Sequence, residues 1–91
     1  MAINRNEAIG KAKSDLAKRT GTDEDSVKLI SSEDAEFPDA SLGAAVSGEM
    51  SGMMLTSGWR ITLDVDGKSF EYRANPDQIR LYKFKGKNYR L

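Results

Sequence analysis

The feature that most constrains the fold of this sequence is a β-hairpin pattern between Leu55 and Asn75. Apolar and polar residues alternate along LTSGWRITLDV, which is the two-residue period of a half-buried strand. Asp66 and Gly67 follow, and both tolerate the positive φ angles that a two-residue hairpin turn requires. With this turn Trp59 faces Ala74, and the apolar residues of both strands share one face. Turn chemistry and register therefore predict the same antiparallel pair.

An amphipathic helix is predicted near the start of the chain. Asn4 and Glu7 have the spacing of a capping box, in which each side chain accepts from the other residue's backbone N–H. Gly21 suits the left-handed conformation that ends a helix. The apolar stripe of this helix consists of Ile9, Ala12 and Leu16.

Further strands are predicted on both sides of the hairpin. One ends at Pro38 and has apolar residues at the odd positions Val27, Leu29, Ala35 and Phe37, whereas IRLYKF follows an NPDQ turn. Because helix and strands are segregated along the chain, residues 1–91 are predicted to form one two-layer α+β domain. Its N-terminal helix packs on an antiparallel sheet of about four strands, and Trp59 is expected to be a buried anchor against the helix. A long loop joins the first two strands.

The composition excludes several kinds of functional site. The chain contains no cysteine and no histidine, which removes disulfides, the usual zinc sites and every nucleophile–histidine pair. The acidic run TDEDS lacks the spacing of a calcium loop. We therefore expect no metal, no cofactor and no enzymatic activity.

The distribution of apolar residues bears on location. No segment has the roughly 20 apolar residues of a membrane span, and the start MAINRNEAIGKAKSDL has no apolar run of signal-peptide length. The sequence thus predicts a cytoplasmic monomer without a membrane span, and a removed leader peptide is left open.

Charge is distributed unevenly, although the formal net charge is +0. Residues 22–49 contain eight acids and one base, whereas the residues after Asp77 contain five bases and no acid. Such segments either neutralise each other in the fold, which is the interpretation we favour, or mark an interaction surface.

The loop from Pro38 to Met54 is about seventeen residues long, and loops of this length in compact domains are usually functional or disordered. Two interpretations are open: the apolar residues pack under the loop as a satellite core, or the loop is a flexible binding segment whose methionines adapt to apolar partners. The candidate binding residues are Pro38, Asp39, Ser41, Leu42, Met50, Met53 and Met54.

Two positively charged sites are further candidates. The hairpin register places Arg60 opposite Arg73, where like charges invite either an anion or an offsetting acid, which is Glu71 or an acid from the long loop. Alternating aromatic and basic residues near the end of the chain could stack on and neutralise single-stranded nucleic acid, or could be ordinary strand patterning. These residues are Tyr82, Lys83, Lys85, Lys87 and Tyr89.

Three segments resemble, in order, a family of small, mostly uncharacterised bacterial proteins: DLAKRTGTDEDSVKLIS, FPDASLG and SGWRITLDVDGKSFEYRAN. Members of that family typically carry P-D-A-S-L-G, a Pro-Gly-Met-containing loop and T-P-G-Y-R-I before a hairpin. The chain departs from this pattern at Ala44, Ser57 and Arg73, where cysteine, proline and histidine are expected. The resemblance implies no activity, and a cysteine-dependent role does not carry over.

The order of helix and meander is also similar to the PepSY domain, a module associated with inhibitory propeptides of metallopeptidases. The function that these observations favour is a non-enzymatic module that binds a peptide or protein surface through residues 38–54. An inhibitor-like or propeptide-like role is one form of it. The alternative is a binder of polyanions or single-stranded nucleic acid, which we favour less.

Overall fold

The structure, a computed structural model, describes residues 2–46, 48–50 and 52–91, and within them one α-helix and five strands. The helix α1 spans Arg5–Thr20, and a short 3-10 turn spans Glu24–Ser26. The strands are β1 (Lys28–Phe37), β2 (Thr56–Val65), β3 (Lys68–Asn75), β4 (Gln78–Phe84) and β5 (Lys87–Arg90).

All five strands form one antiparallel meander in the order β1-β2-β3-β4-β5. The predicted α+β arrangement is therefore confirmed, with one strand more than the predicted four. The additional strand follows a turn at Gly86, whose φ of 82° permits the reversal of the chain.

The helix begins and ends as its sequence predicts. The Asn4 side chain accepts from the Glu7 N–H at 2.8 Å, and the Glu7 carboxylate accepts from the Asn4 N–H at 3.1 Å. Gly21 ends the helix with φ 69° and donates its N–H to Ala17. Among the residues that the structure describes, no helix is both long enough and apolar enough to cross a membrane.

The core lies between α1 and one face of the sheet. Small residues on the helix, Ala8 and Ala12, are fully buried and allow close packing on the strands. The predicted hairpin register is confirmed, with Trp59 opposite Ala74, Ile61 opposite Tyr72 and Leu63 opposite Phe70. The strand residues with no exposed area on this face are Ile61, Leu63, Tyr72, Ala74 and Leu81.

The expectation that Trp59 is a buried anchor is wrong. Its side chain is only partly buried and packs at the margin of the core. The cross-strand neighbours explain this position, because Trp59 faces Asp34 in the edge strand β1 on one side and the small Ala74 on the other. Tyr72 instead is the largest fully buried side chain.

The predicted alternation of the first strand is interrupted by a β-bulge between Leu29 and Ser31. A bulge adds one residue and moves the following side chains to the other face. Leu29 faces Leu63 on the helix side, whereas Phe37 lies on the opposite face and is 2% exposed there. The odd positions therefore do not share one face. The alternating pattern assigns Leu55 to the apolar face of the hairpin. In the structure Leu55 precedes β2 and is exposed.

A partly buried polar bridge joins the sheet to the helix. Tyr72 donates its hydroxyl to Asp15 Oδ2 at 2.7 Å, and the same oxygen accepts from Arg19 Nε at 2.7 Å. Burial, followed by the hydrogen bond to Asp15, raises the pKa of Tyr72 well above its ordinary value of 10.0. The folded state therefore favours the protonated phenol.

Tyr72→Phe is expected to lower the free energy of unfolding by about 1.5–3 kcal/mol at neutral pH, the range for hydrogen bonds to charged groups. Because the folded pKa is raised, the contribution of Tyr72 is fully present below about pH 10 and is lost as pH rises further. Denaturant melts in an alkaline series should show the two proteins converging. A difference that stays constant above pH 10 would contradict this role.

Candidate functional site

The face of the sheet opposite α1, called here the outer face, carries a row of arginines. Arg60 faces Arg73, Arg73 faces Arg80, and Arg80 faces Arg90, so the row crosses four consecutive strands. Like charges in directly opposite positions are destabilising. The row therefore requires acids to compensate its charge.

Two glutamates supply this compensation. Glu71 Oε2 lies 2.6 Å from Arg73 Nε and 3.5 Å from Arg60 Nε. Glu49, which comes from the long loop, accepts from Arg80 Nη2 at 2.7 Å and lies 3.9 Å from Arg90 Nη1. The Arg80 side chain is only 3% exposed, so its pairing with Glu49 is largely shielded from solvent.

The outer face also holds the backbone of the loop. Four side chains from β3, β4 and β5 each donate to a different loop carbonyl, and these bonds fasten residues 38–46, called here the anchored segment. They run from Gln78 to Ala40 at 2.7 Å, Arg73 to Leu42 at 3.0 Å, Arg80 to Ala44 at 3.4 Å and Asn88 to Ala45 at 2.9 Å. The loop is therefore a second layer on the sheet.

The PDASLG part of the loop folds around one carboxylate. Asp39 Oδ1 accepts from the Ser41 hydroxyl at 2.6 Å, and from the backbone N–H groups of Ser41 and Gly43 at 3.0 Å each. The hydrogen bond from Ser41 is the largest cause that lowers the pKa of Asp39. Leu42 is fully buried and has an unusual positive φ of 59°, which this hydrogen-bonded turn supports.

Two glycines allow close approaches at the site. A Cβ on Gly43 would lie 2.6 Å from Arg73 Nη1, and its φ is 67°. A Cβ on Gly58 would collide with the carbonyl oxygen of Ala74 and lie 3.2 Å from the Phe37 ring. Both glycines thus belong to the contacts through which the loop and β1 pack on the outer face.

Beyond the anchored segment, the loop presents apolar side chains to solvent. Met50, Met53, Met54 and Leu55, called here the exposed segment, have exposures of 98%, 91%, 60% and 75%. The carbonyl of Gly52 accepts from the N–H groups of Ala40 and Met54, both at 3.0 Å. This backbone contact ties the exposed segment to the start of the loop.

The seven predicted loop residues therefore divide into two groups. Asp39, Ser41 and Leu42 hold the loop in place, as the satellite-core interpretation expects. Pro38 is exposed, and Met50, Met53 and Met54 lie in the exposed segment. The packing interpretation is thus correct for Leu42 but not for these methionines, and binding by the loop stays a prediction.

The predicted pair Arg60 and Arg73 does lie in opposite positions, with Glu71 beside both. The Arg73 guanidinium lies 3.7 Å from the centre of the Tyr82 ring and 5.4 Å from that of Phe37. Its side chain is 14% exposed and also donates to the loop. Anion binding by this pair stays a prediction.

The predicted basic surface is divided between the two faces of the sheet. Tyr82 lies on the outer face, next to Arg73. Tyr89 faces Leu81 on the helix side, where the Arg19 guanidinium lies 4.4 Å from its ring centre. Lys83, Lys85 and Lys87 are exposed around the β4–β5 turn. The two tyrosines therefore lie on opposite faces of the sheet and do not form a single stacking platform for nucleic acid.

The oppositely charged segments lie mostly apart. β1, with three of the acids, and β5, with two of the bases, form opposite edges of the sheet. Within the described residues, Glu49 is the one acid of residues 22–49 that pairs with a base after Asp77. The favoured interpretation, mutual neutralisation, is thus correct for Glu49 alone.

Sequence reasoning missed four residues that hold the loop: Glu49, Gln78, Arg80 and Asn88. Arg80 could have been found by extending the register across the NPDQ turn, which places it opposite Arg73. Its partner Glu49 could not have been found from the strand register, because Glu49 lies in the loop, 31 residues away in the chain. No group of three or more acidic residues in the described parts of the chain is arranged to hold a metal ion.

Comparison with known proteins agrees with a small domain of this kind. Residues 9–82 match a family model described as a domain of unknown function, DUF8738. The chain belongs to this family. The match runs from the middle of α1 to β4 and so includes the anchored segment, the exposed segment and three arginines of the row. No curated protein and no solved structure matches the chain. The likeness to the PepSY domain stays a prediction.

Glu49→Gln should lower the free energy of unfolding by about 1.5–3 kcal/mol at neutral pH, because it removes the charge that Arg80 binds. The hydrogen bond from Arg80 lowers the pKa of Glu49 from 4.5 to about 2. The contribution of Glu49 is therefore present above pH 4.5 and is lost as pH falls towards 2. Melts in an acid series should show the difference from wild type vanish. Glu33→Gln, at a side chain 62% exposed and 4.0 Å from Arg60, is the control and should change little.

The stability of the protein should respond differently to side-chain truncation in the two parts of the loop. Leu42→Ala removes a fully buried side chain and should cost about 2–5 kcal/mol. Met53→Ala changes a side chain that is 91% exposed and should stay within about 0.5 kcal/mol of wild type. Urea melts compare the two variants, and equal losses would show that the loop is not divided in this way.

Proposed function

We propose that this chain is a small non-enzymatic module that binds a peptide or protein surface through the exposed segment of its loop. The observation that carries the proposal is the concentration of large, exposed apolar side chains in this segment, where Met50, Met53, Met54 and Leu55 have exposures from 60% to 98%. Single apolar residues are common on protein surfaces, but a group of this kind is typical of an interaction site.

The chemistry of these side chains supports a peptide partner. Three of the four are methionines, which are flexible and polarisable and therefore adapt to apolar surfaces of different shape. Such residues are well suited to partners that present leucine, valine or aromatic side chains.

The backbone around the exposed segment favours binding as well. On one side Glu49 is held by Arg80, and within the segment the carbonyl of Gly52 accepts from Ala40 and Met54. A segment held at these points loses less conformational entropy when a partner binds. The anchored segment thus acts as the support from which the methionines project.

The proposal requires neither catalysis nor a cofactor, and we expect the module to act as a monomer in the cytoplasm. The likeness to the PepSY domain favours an inhibitor-like or propeptide-like role as one form of peptide binding. In that form the exposed segment would contact an apolar part of a peptidase.

The experiment is selection from a displayed random dodecapeptide library on the wild-type protein. Selected peptides should carry apolar residues and should bind the variant Met50→Ser/Met53→Ser/Met54→Ser at least about tenfold more weakly, because the apolar contact area is lost. Calorimetry measures the affinities. The matched control replaces the same methionines by leucine, which keeps the apolar surface and should keep most of the binding. Selected peptides that bind the serine variant as well as wild type would contradict the proposal.

A further inference from the structure

The strand β1 is an open edge next to the proposed binding loop. Within the described residues it pairs with β2 on one side and with no strand on the other. An edge of this kind leaves backbone N–H and C=O groups available to an added strand. The end of β1 faces the start of β2 at the pair Phe37 and Thr56, and the exposed segment directly precedes Thr56.

A groove of about 530 Å³ lies at this end of β1. It is lined by Trp59 and Pro76 together with the acidic residues Asp34 and Glu36. The indole is only partly buried, and the Asp34 side chain is 88% exposed. An aromatic ring beside two carboxylates attracts a cation both through the ring face and through charge.

One acid of the groove, Asp34, already pairs with a cation of the protein itself, Arg5. Its guanidinium donates from Nη2 to Asp34 Oδ1 and so brings a cation to one of the two carboxylates. The Arg5 side chain is 38% exposed, so solvent reaches both partners. Surface ion pairs of this kind are weak, and a cation from another molecule can replace Arg5.

The charge of β1 selects between partners. Its exposed acids are Glu33, Asp34 and Glu36, against a single base, Lys28. A second copy of β1 would bring acids against acids, which is unfavourable, whereas a basic strand would be complementary. The same acids protect the edge against self-association.

We propose that β1 and the Trp59 groove bind an extended basic peptide segment of a partner protein. The peptide backbone pairs with the open edge, and a lysine or arginine side chain lies against Trp59 beside Asp34 and Glu36. This inference rests on the proposed peptide-binding function and adds the class of partner: a basic strand whose neighbouring apolar residues reach the exposed segment.

The test uses a capped hexapeptide of alternating lysine and valine as the probe. Trp59 is the single tryptophan of the chain, so its fluorescence reports binding in the groove directly. We expect a saturable change with this peptide and none with the counterpart of alternating glutamate and valine. No change with the lysine peptide, or an equal change with both, would overturn the proposal.

Three variants examine the charges. Asp34→Asn/Glu36→Gln should weaken binding of the lysine peptide about five- to tenfold, and Arg5→Gln should strengthen it about two- to fivefold because Asp34 loses its internal partner. Asp23→Asn, at an exposed acid ahead of the Glu24–Ser26 turn, is the matched control and should leave the affinity unchanged. An unchanged affinity in the double variant, or weaker binding in Arg5→Gln, would contradict the assignment.

Two further measurements examine the backbone pairing and separate this inference from the loop hypothesis. Argininamide alone should bind far more weakly than the hexapeptide, and equal binding would show that the open edge contributes nothing. The serine variant of Met50, Met53 and Met54 should keep hexapeptide binding even though it loses the library peptides. Loss of the hexapeptide in that variant, with normal binding in Asp34→Asn/Glu36→Gln, would leave the loop hypothesis standing and refute the basic strand.

Discussion

The structure of the loop depends on the guanidinium groups of Arg73 and Arg80. Each is nearly buried, and each bonds at the same time to a glutamate and to a loop carbonyl. Only arginine offers several N–H donors in a rigid plane, so one side chain can serve a carboxylate and the backbone together. A lysine at either position would supply the charge without this geometry, and a loop carbonyl would lose its donor.

The same interactions explain how a small sheet covers both of its faces. On the helix side, α1 buries an apolar surface in the usual manner. On the outer face the strands present arginines, and the loop covers them with its backbone and Glu49, while Phe37, Leu42 and Ala44 are the buried apolar contacts. Because polar groups form most of this second layer, it tolerates a row of like charges that an apolar layer would not.

Local rules were sufficient for the helix caps, the turn at Asp66 and the hairpin register, because each depends on residues close together in sequence. They failed where a distant contact or an irregularity decides the outcome. The bulge near Leu29 reverses the face of Phe37, and Trp59 is half-buried because its neighbour Asp34 belongs to an edge strand. The loop contacts join residues 31 to 43 positions apart, so no local pattern indicates which carbonyls are held.

The division of the loop also explains why its sequence changes character along its length. From Asp39 to Ala44 the loop is held by specific hydrogen bonds such as that from Ser41 to Asp39. A substitution there disturbs the buried Leu42, a backbone position with positive φ, or the close contact with Arg73. The side chains of the exposed segment meet solvent, and the structure constrains the backbone at Gly52 rather than these side chains. A segment whose backbone is held and whose side chains are free can vary its apolar surface without cost to the fold. This arrangement supports the recognition role that we propose for the loop.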